Sequence, residues 1–162
     1  MTEPLKQNAS GLYLEIQQIG CFFRAACHMA EIEAEKQGRT QALTLEQINK
    51  LWEYSKTLKY INEQDNVVSS VGIANLALKK LNASGRFVEV AVFSEGKMNW
   101  YASVRGKDRK ADYYIQKIKQ AGPSVTHFIN VDNAGNLLWD PHEPQIIKRG
   151  VFYTICYRLD KE

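Results

Sequence analysis

Three side chains far apart in the sequence, Cys21, His127 and Asp140, have the types that acyl transfer needs: a nucleophilic sulfur, a base that titrates near neutrality and a carboxylate to orient that base. His127 and Asp140 bound the segment His127-Phe-Ile-Asn-Val-Asp-Asn-Ala-Gly-Asn-Leu-Leu-Trp-Asp140, which has the pattern of one β-hairpin. Its centre, Asp132-Asn133-Ala134-Gly135, is rich in residues that tolerate turn backbone angles. A four-residue loop there pairs Val131 with Asn136, and the register carried back sets His127 opposite Asp140. Directly opposed residues of an antiparallel ladder have Cβ atoms about 4.5–5.5 Å apart. A carboxylate at that range accepts the imidazole N–H, fixes its tautomer and stabilises its protonated form, as a thiol-activating histidine requires.

Gly20 lets the chain turn into a helix that begins at Cys21. The first turn of a helix has unsatisfied N–H groups and the positive end of the macrodipole, both of which favour an anion. A cysteine so placed tends to carry a larger thiolate fraction. Free cysteine is also a small hydrophobe that favours cores, and Cys27 in mid-helix and Cys156 in mid-strand fit that role better than Cys21 does. His28 lies two turns beyond Cys21, about 10 Å by helix rise, too far for a direct hydrogen bond. It is expected to be a surface or packing residue, and His142 a loop residue. Cys21, Cys27 and His28 do not converge on one ion at their spacing, so no metal ligand is expected, and acyl transfer requires no cofactor.

The elements that must position these groups divide the chain into a helical first half and a strand-rich second half. The run from Cys21 to Lys36 is apolar nearly all round for three turns and then acidic, so it should start in the core and emerge at the surface. Thr44-Leu-Glu-Gln47 is a capping-box pattern that opens a second helix through Ile48, Leu51, Trp52 and Leu58. Ser69 or Ser70 can cap a third, through Ile73, Leu76, Ala77 and Leu81, which breaks at Asn82-Ala-Ser-Gly85. After Gly85 the period changes: Arg86 to Phe93 and Met98 to Val104 have the pattern of strands joined across Ser94-Glu-Gly-Lys97. Arg109 to Gln120 returns to helical spacing through Tyr114, Ile115 and Ile118, with Gly122-Pro123 to stop it. Strands follow at Val125 to Val131, Leu137 to Asp140 and Val151 to Leu159. The sum is an α+β domain, N-terminal helices packed on a mostly antiparallel sheet of about five strands.

At 162 residues and 44% hydrophobic content the chain is long enough for one domain, 1–162, with a proper core. Twenty-one basic against 18 acidic residues leave a net charge of +3, too slight to imply a nucleic-acid partner. No segment approaches the roughly 20 apolar residues of a membrane span, and Met-Thr-Glu-Pro-Leu-Lys-Gln at the start has no apolar signal core, so a cytoplasmic location with no membrane partner is expected. Three cysteines without CxxC spacing suggest neither a disulfide framework nor structural zinc.

Gln17-Gln-Ile-Gly-Cys21 leading into Ala25-Ala26, with His127-Phe-Ile-Asn-Val and then Gly135-Asn-Leu-Leu-Trp-Asp140-Pro141, resembles the papain-like cysteine peptidase superfamily. The bacteriocin-processing, double-glycine-leader peptidase branch is the nearest in flavour, and cell-wall hydrolases of the NlpC type are further off. The chain is also similar to small phage- or plasmid-borne bacterial domains with a glutamine-glycine-cysteine start. The resemblance covers about a third of the chain. It implies a papain-like fold, Cys21 as nucleophile, His127 as general base and then acid, Asp140 as the orienting group, and an upstream glutamine in the oxyanion hole beside the cysteine's own N–H. The position six before Cys21 is Glu15, so Gln18 and Gln17 are the glutamines at hand, and Phe22-Phe23 follow the cysteine where that branch more often shows a small residue. The expected activity is that of a peptidase or amidase acting on a peptide or other amide. The alternative is a catalytically silent domain of the same fold that serves as a binding or interaction module. Phe128 and Trp139 are expected in the core. Trp100, Tyr101, Tyr113 and Tyr114 are possible groove residues that spacing does not distinguish from packing.

Overall fold

A computed structural model describes residues 1–94, 111–120 and 126–161. Its elements, in chain order, are α1 (Leu14–Ile19), α2 (Cys21–Lys36), α3 (Leu45–Thr57), α4 (Ser70–Lys80), β1 (Arg86–Ser94), β2 (Tyr113–Gln120), β3 (Thr126–Val131), β4 (Leu137–Trp139) and β5 (Lys148–Asp160). The protein is α+β, with four helices and one five-stranded antiparallel sheet of order β1-β5-β2-β3-β4 among the described residues.

The central helix is α2. Phe23, Ala25, Ala26, Cys27, Met29, Ala30 and Ala34 are all fully buried, and the alanines let the helix backbone come close to α4 on one side and β3 on the other. It emerges at the surface as expected, at Glu35 and Lys36, but later than it turns acidic, because Glu31 and Glu33 are buried too. Each has partners that make burial tolerable. Glu31 meets Arg24 at 3.0 Å and accepts the Leu43 N–H at 3.0 Å, while Glu33 accepts the Tyr113 hydroxyl at 2.6 Å.

The capping box of α3 is formed: the Thr44 hydroxyl accepts the Gln47 N–H at 3.2 Å and the Gln47 side chain accepts the Thr44 N–H at 2.9 Å. Ile48, Leu51 and Trp52 are its buried face, and Leu58 is exposed. Of the two candidate serines, Ser69 caps α4, accepting the Gly72 N–H at 3.0 Å. Helix α1 has no sequence signal of its own, since it is six residues long and Tyr13 offers no side-chain cap.

The segment with helical spacing before Gln120 is the strand β2. Tyr113 and Ile115 join the main core, while Ile118 packs with Ile129 and Val131 in a second cluster. A strand with both faces buried is apolar at consecutive positions, so Tyr114-Ile115 and Ile118 imitate a helix. β2 lies in mid-sheet, bonded to β3 and to the 13-residue β5. The expected strand at 98–104, most of its turn at 94–97 and the Gly122-Pro123 stop lie outside the described residues. Among the described residues no helix is long and apolar enough to cross a membrane.

Candidate active site

Cys21 is the first residue of α2 and half-buried, and a single glycine separates α2 from α1. The Gly20 N–H bonds the Ile16 carbonyl at 2.8 Å, ending α1, and the Gly20 carbonyl accepts the Arg24 N–H at 2.8 Å, beginning α2. A Cβ on Gly20 would sit 2.4 Å from the Ile16 carbonyl oxygen, so any side chain there would push the two helices apart and carry Cys21 with them. Among the described residues, the N–H groups of Cys21, Phe22 and Phe23 have no backbone acceptor, as the start of a helix requires. Burial pushes the thiols of Cys27 and Cys156 up to about 12.

His127 is buried near the start of β3, and its Nε2 meets Asp140 Oδ1 at 2.6 Å. Cys21 is close enough to the same ring to act on its charge, and because Nε2 is taken by Asp140, Nδ1 is the nitrogen left for the sulfur. Burial alone would lower the imidazole, but the hydrogen bonds to Asp140 and Cys21, with the negative charge those groups supply, hold it at about 9. Burial likewise works to raise Asp140, and is outweighed by the bond to His127 and by two backbone N–H donors, so its carboxyl lies below the usual carboxylate range.

The structure brings His127 and Asp140 together by a route other than the expected register. The observed pairs are Asn130 with Trp139 and Val131 with Leu137, with an irregularity between them, so His127 is not the ladder partner of Asp140. The turn is not the expected four-residue loop: Val131 pairs with Leu137 instead of Asn136, and inside that pair the Asp132 N–H bonds the Asn136 carbonyl at 2.9 Å. The Asp132 carboxylate holds it by accepting the N–H groups of Ala134 and Asn136, both at 2.9 Å. Asp140 lies just past β4, and its carboxylate is aimed by the loop that follows: Oδ1 accepts the His142 N–H and Oδ2 the Ile146 N–H, both at 2.8 Å.

A strap from the other end of the chain holds that loop, and nothing in the sequence pattern announces it. The Gln7 N–H bonds the Pro141 carbonyl at 2.7 Å, and Asn8 bonds Glu143 in both directions, at 2.6 and 3.2 Å. The Lys6 ammonium donates to the Asp140 carbonyl at 2.6 Å.

Cys21 and His127 line a cleft of about 610 Å³. Phe22, the residue after the cysteine, stacks on Phe128, the residue after the histidine, with ring centres 4.0 Å apart and planes 6° from parallel. The two rings therefore form part of the cleft wall beside the sulfur. Gln18 also lines the cleft; Gln17 does not, and its side-chain amide donates to the Leu12 carbonyl at 2.7 Å. Of the two glutamines only Gln18 is thus placed to reach a ligand in the cleft. His142 lines it as well, edge-on to His127 with ring centres 6.2 Å apart. Trp139 stacks on His28 at 4.0 Å, which makes His28 a buried packing residue. Tyr113 and Tyr114 border a different cavity, and Trp100 and Tyr101 lie outside the described residues.

The arrangement missed from the sequence is the buried Arg24–Glu31–His28 group beneath Trp139. Its signal was available: Arg24 and Glu31 are two turns apart, on one face of a helix whose other residues there are mostly apolar. Among the described residues no group of three or more histidine, cysteine, aspartate or glutamate side chains is set to hold a metal ion. Comparison of the chain with family models, with curated proteins and with solved structures gives no match.

Proposed function

We propose that the protein is a papain-like cysteine hydrolase, a peptidase or amidase, with Cys21 as nucleophile, His127 as proton carrier and Asp140 as orienting carboxylate. The observation that carries this reading is one buried imidazole with a carboxylate at 2.6 Å on Nε2, in a cleft shared with a cysteine at the first position of a helix. An imidazole held at about 9 keeps its proton at pH 7 and faces the sulfur as a cation. The sulfur adds as the thiolate to the carbonyl carbon of the amide, and the electron pair of the C=O bond moves onto oxygen. The Cys21 N–H, free of a backbone partner, and the Gln18 side chain are the donors at hand for that oxyanion. Collapse re-forms the carbonyl and breaks the C–N bond, and the nitrogen leaves with the proton from His127. Water then gives a proton to His127 and its oxygen to the thioester, releasing the acid and returning the sulfur as a thiolate beside the protonated imidazole.

The test is the rate of Cys21 alkylation by iodoacetamide, read by mass spectrometry in the wild type and in His127→Ala. The wild type should react at pH 7 at least about tenfold faster than the variant, because the substitution removes the cation that faces the sulfur. Equal rates in the two proteins would sink the hydrolase reading and favour a domain kept for binding.

A further inference from the structure

The wall of the cleft opposite α2 is a row across three strands, and at its centre is a lysine. Lys117 on β2 is directly paired with Phe128 on β3 and Tyr153 on β5, and all three line the cleft. Its Nζ lies 5.9 Å from the centre of the Phe128 ring, 5.5 Å from that of Tyr153 and 5.7 Å from that of Phe152. Ring faces attract an ammonium and hold it against the sheet, but they do not neutralise it. Among the described residues no carboxylate is paired with Lys117. The acidic residue on the cleft rim, Asp65, is already bonded to Lys56 at 2.5 Å. Gln120 and Thr126 extend the same wall with polar side chains.

We infer that Lys117 recognises a carboxylate, so that the ligand which reaches Cys21 carries an acidic group close to the reacting carbonyl, from a side chain or from a chain end. What the cleft does to that ligand rests on the hydrolase reading; the recognition itself rests on the row of side chains. A neutral ligand of the same shape would cover the ammonium without pairing it, a penalty that selects against neutral ligands as firmly as the ion pair selects for acidic ones. Lys119 also lies over the Phe152 ring, at 5.1 Å, but of the two ammoniums only Lys117 lines the cleft, which suits a monoanion, whereas a phosphate group is better met by the paired donors of arginine.

The experiment compares two alkylating reagents of nearly equal size, anionic iodoacetate and neutral iodoacetamide, at Cys21 in low-salt buffer at pH 7. The ratio of their rate constants is referred to the same ratio for N-acetylcysteine. Lys117→Met should lower the ratio about fivefold, Lys117→Arg should keep it, and Lys50→Met, which removes an exposed lysine elsewhere, should leave it unchanged. A ratio unmoved by Lys117→Met overturns the assignment, whatever the protein hydrolyses. His127→Ala in the same assay tests the hydrolase reading through the iodoacetamide rate alone, so the two ideas can fail separately. The source of the carboxylate follows from protection of Cys21 by amidated peptides with an internal glutamate against neutral peptides with a free C-terminus. The class that protects the wild type but not Lys117→Met names the source, and protection by neither class overturns the proposal.

Discussion

Two histidine–carboxylate pairs lie on either side of the Trp139-Asp140 step, and they titrate in opposite directions. His28 Nδ1 meets Glu31 Oε1 at 2.9 Å and His127 Nε2 meets Asp140 Oδ1 at 2.6 Å, with both imidazoles buried. Burial pushes His28 below its ordinary value, whereas His127 is held up at about 9. The difference lies in what else each carboxylate serves. Glu31 is already committed to Arg24 at 3.0 Å, and the positive charges of Arg24 and Lys6 oppose a second cation on His28. Among the described residues the Asp140 carboxylate has two neutral N–H donors and no rival cation, and Cys21 acts on the ring in the same direction. A buried carboxylate can charge a histidine or bind an arginine, and the choice separates an imidazole that is raised from one that is lowered.

The largest effect should come from breaking the buried group. Arg24→Met is close in volume, but it strands the Glu31 carboxylate and removes both donors to the Leu5 carbonyl, at 3.0 and 2.7 Å. Removing one partner of a buried pair costs about 3–5 kcal/mol, which urea unfolding would read as a lower midpoint. Burial works to raise Glu31, and Arg24 is the main reason it lies instead at about 2. Without Arg24 the carboxylate should turn to His28 and lift its titration above 6.5 in NMR, converting the first pair toward the second. A His28 that stays low in a folded Arg24→Met protein would refute this account of the contrast.

The two imidazoles also predict opposite dependences of stability on pH. His127 is raised, so its contribution is complete below its ordinary 6.5 and is lost as pH climbs through about 9. His28 is lowered, so its neutral form favours the fold above 6.5 and resists it as pH falls below that value. For His127 the rise from 6.5 to about 9 amounts to a stability difference on the order of 3 kcal/mol. The gap in Tm between the wild type and His127→Gln should therefore be widest below pH 6.5 and close as pH approaches 10. A gap that is constant over that range would mean that the ring is neutral in the folded protein.

How much of this was legible depended on whether a local pattern carried the information. The capping box at Thr44 and Gln47 is complete within four residues, and it forms as its pattern predicts. The Cys21 position was legible for the same reason, since Gly20 and the apolar run after it mark a helix start. The Asp140 carboxylate was matched with His127 by a register that does not exist. Its contact with the ring comes from backbone bonds at His142 and Ile146 and from the strap at Lys6 to Asn8, all set by long-range packing. Lys117 was hidden by the reading of its segment as a helix, which an apolar strand buried on both faces invites.

The smallest effect tests the strap. Lys6 bonds the Asp140 carbonyl at 2.6 Å, and its ammonium lies 4.7 Å from the centre of the Trp139 ring, directly between the two pairs. Lys6→Met keeps the aliphatic stem and removes the charge, so the loss of stability should be no more than about 1 kcal/mol. The informative readout is which imidazole moves. Lys6 opposes the charging of His28, whereas its bond at Asp140 goes to the backbone carbonyl and leaves the carboxylate to His127. The NMR titration of His28 should therefore shift slightly upward while that of His127 stays in place. A shift at His127 would mean that the strap sets the Asp140 carboxylate as well as its backbone, making residues 6–8 a positioning element for the reactive pair.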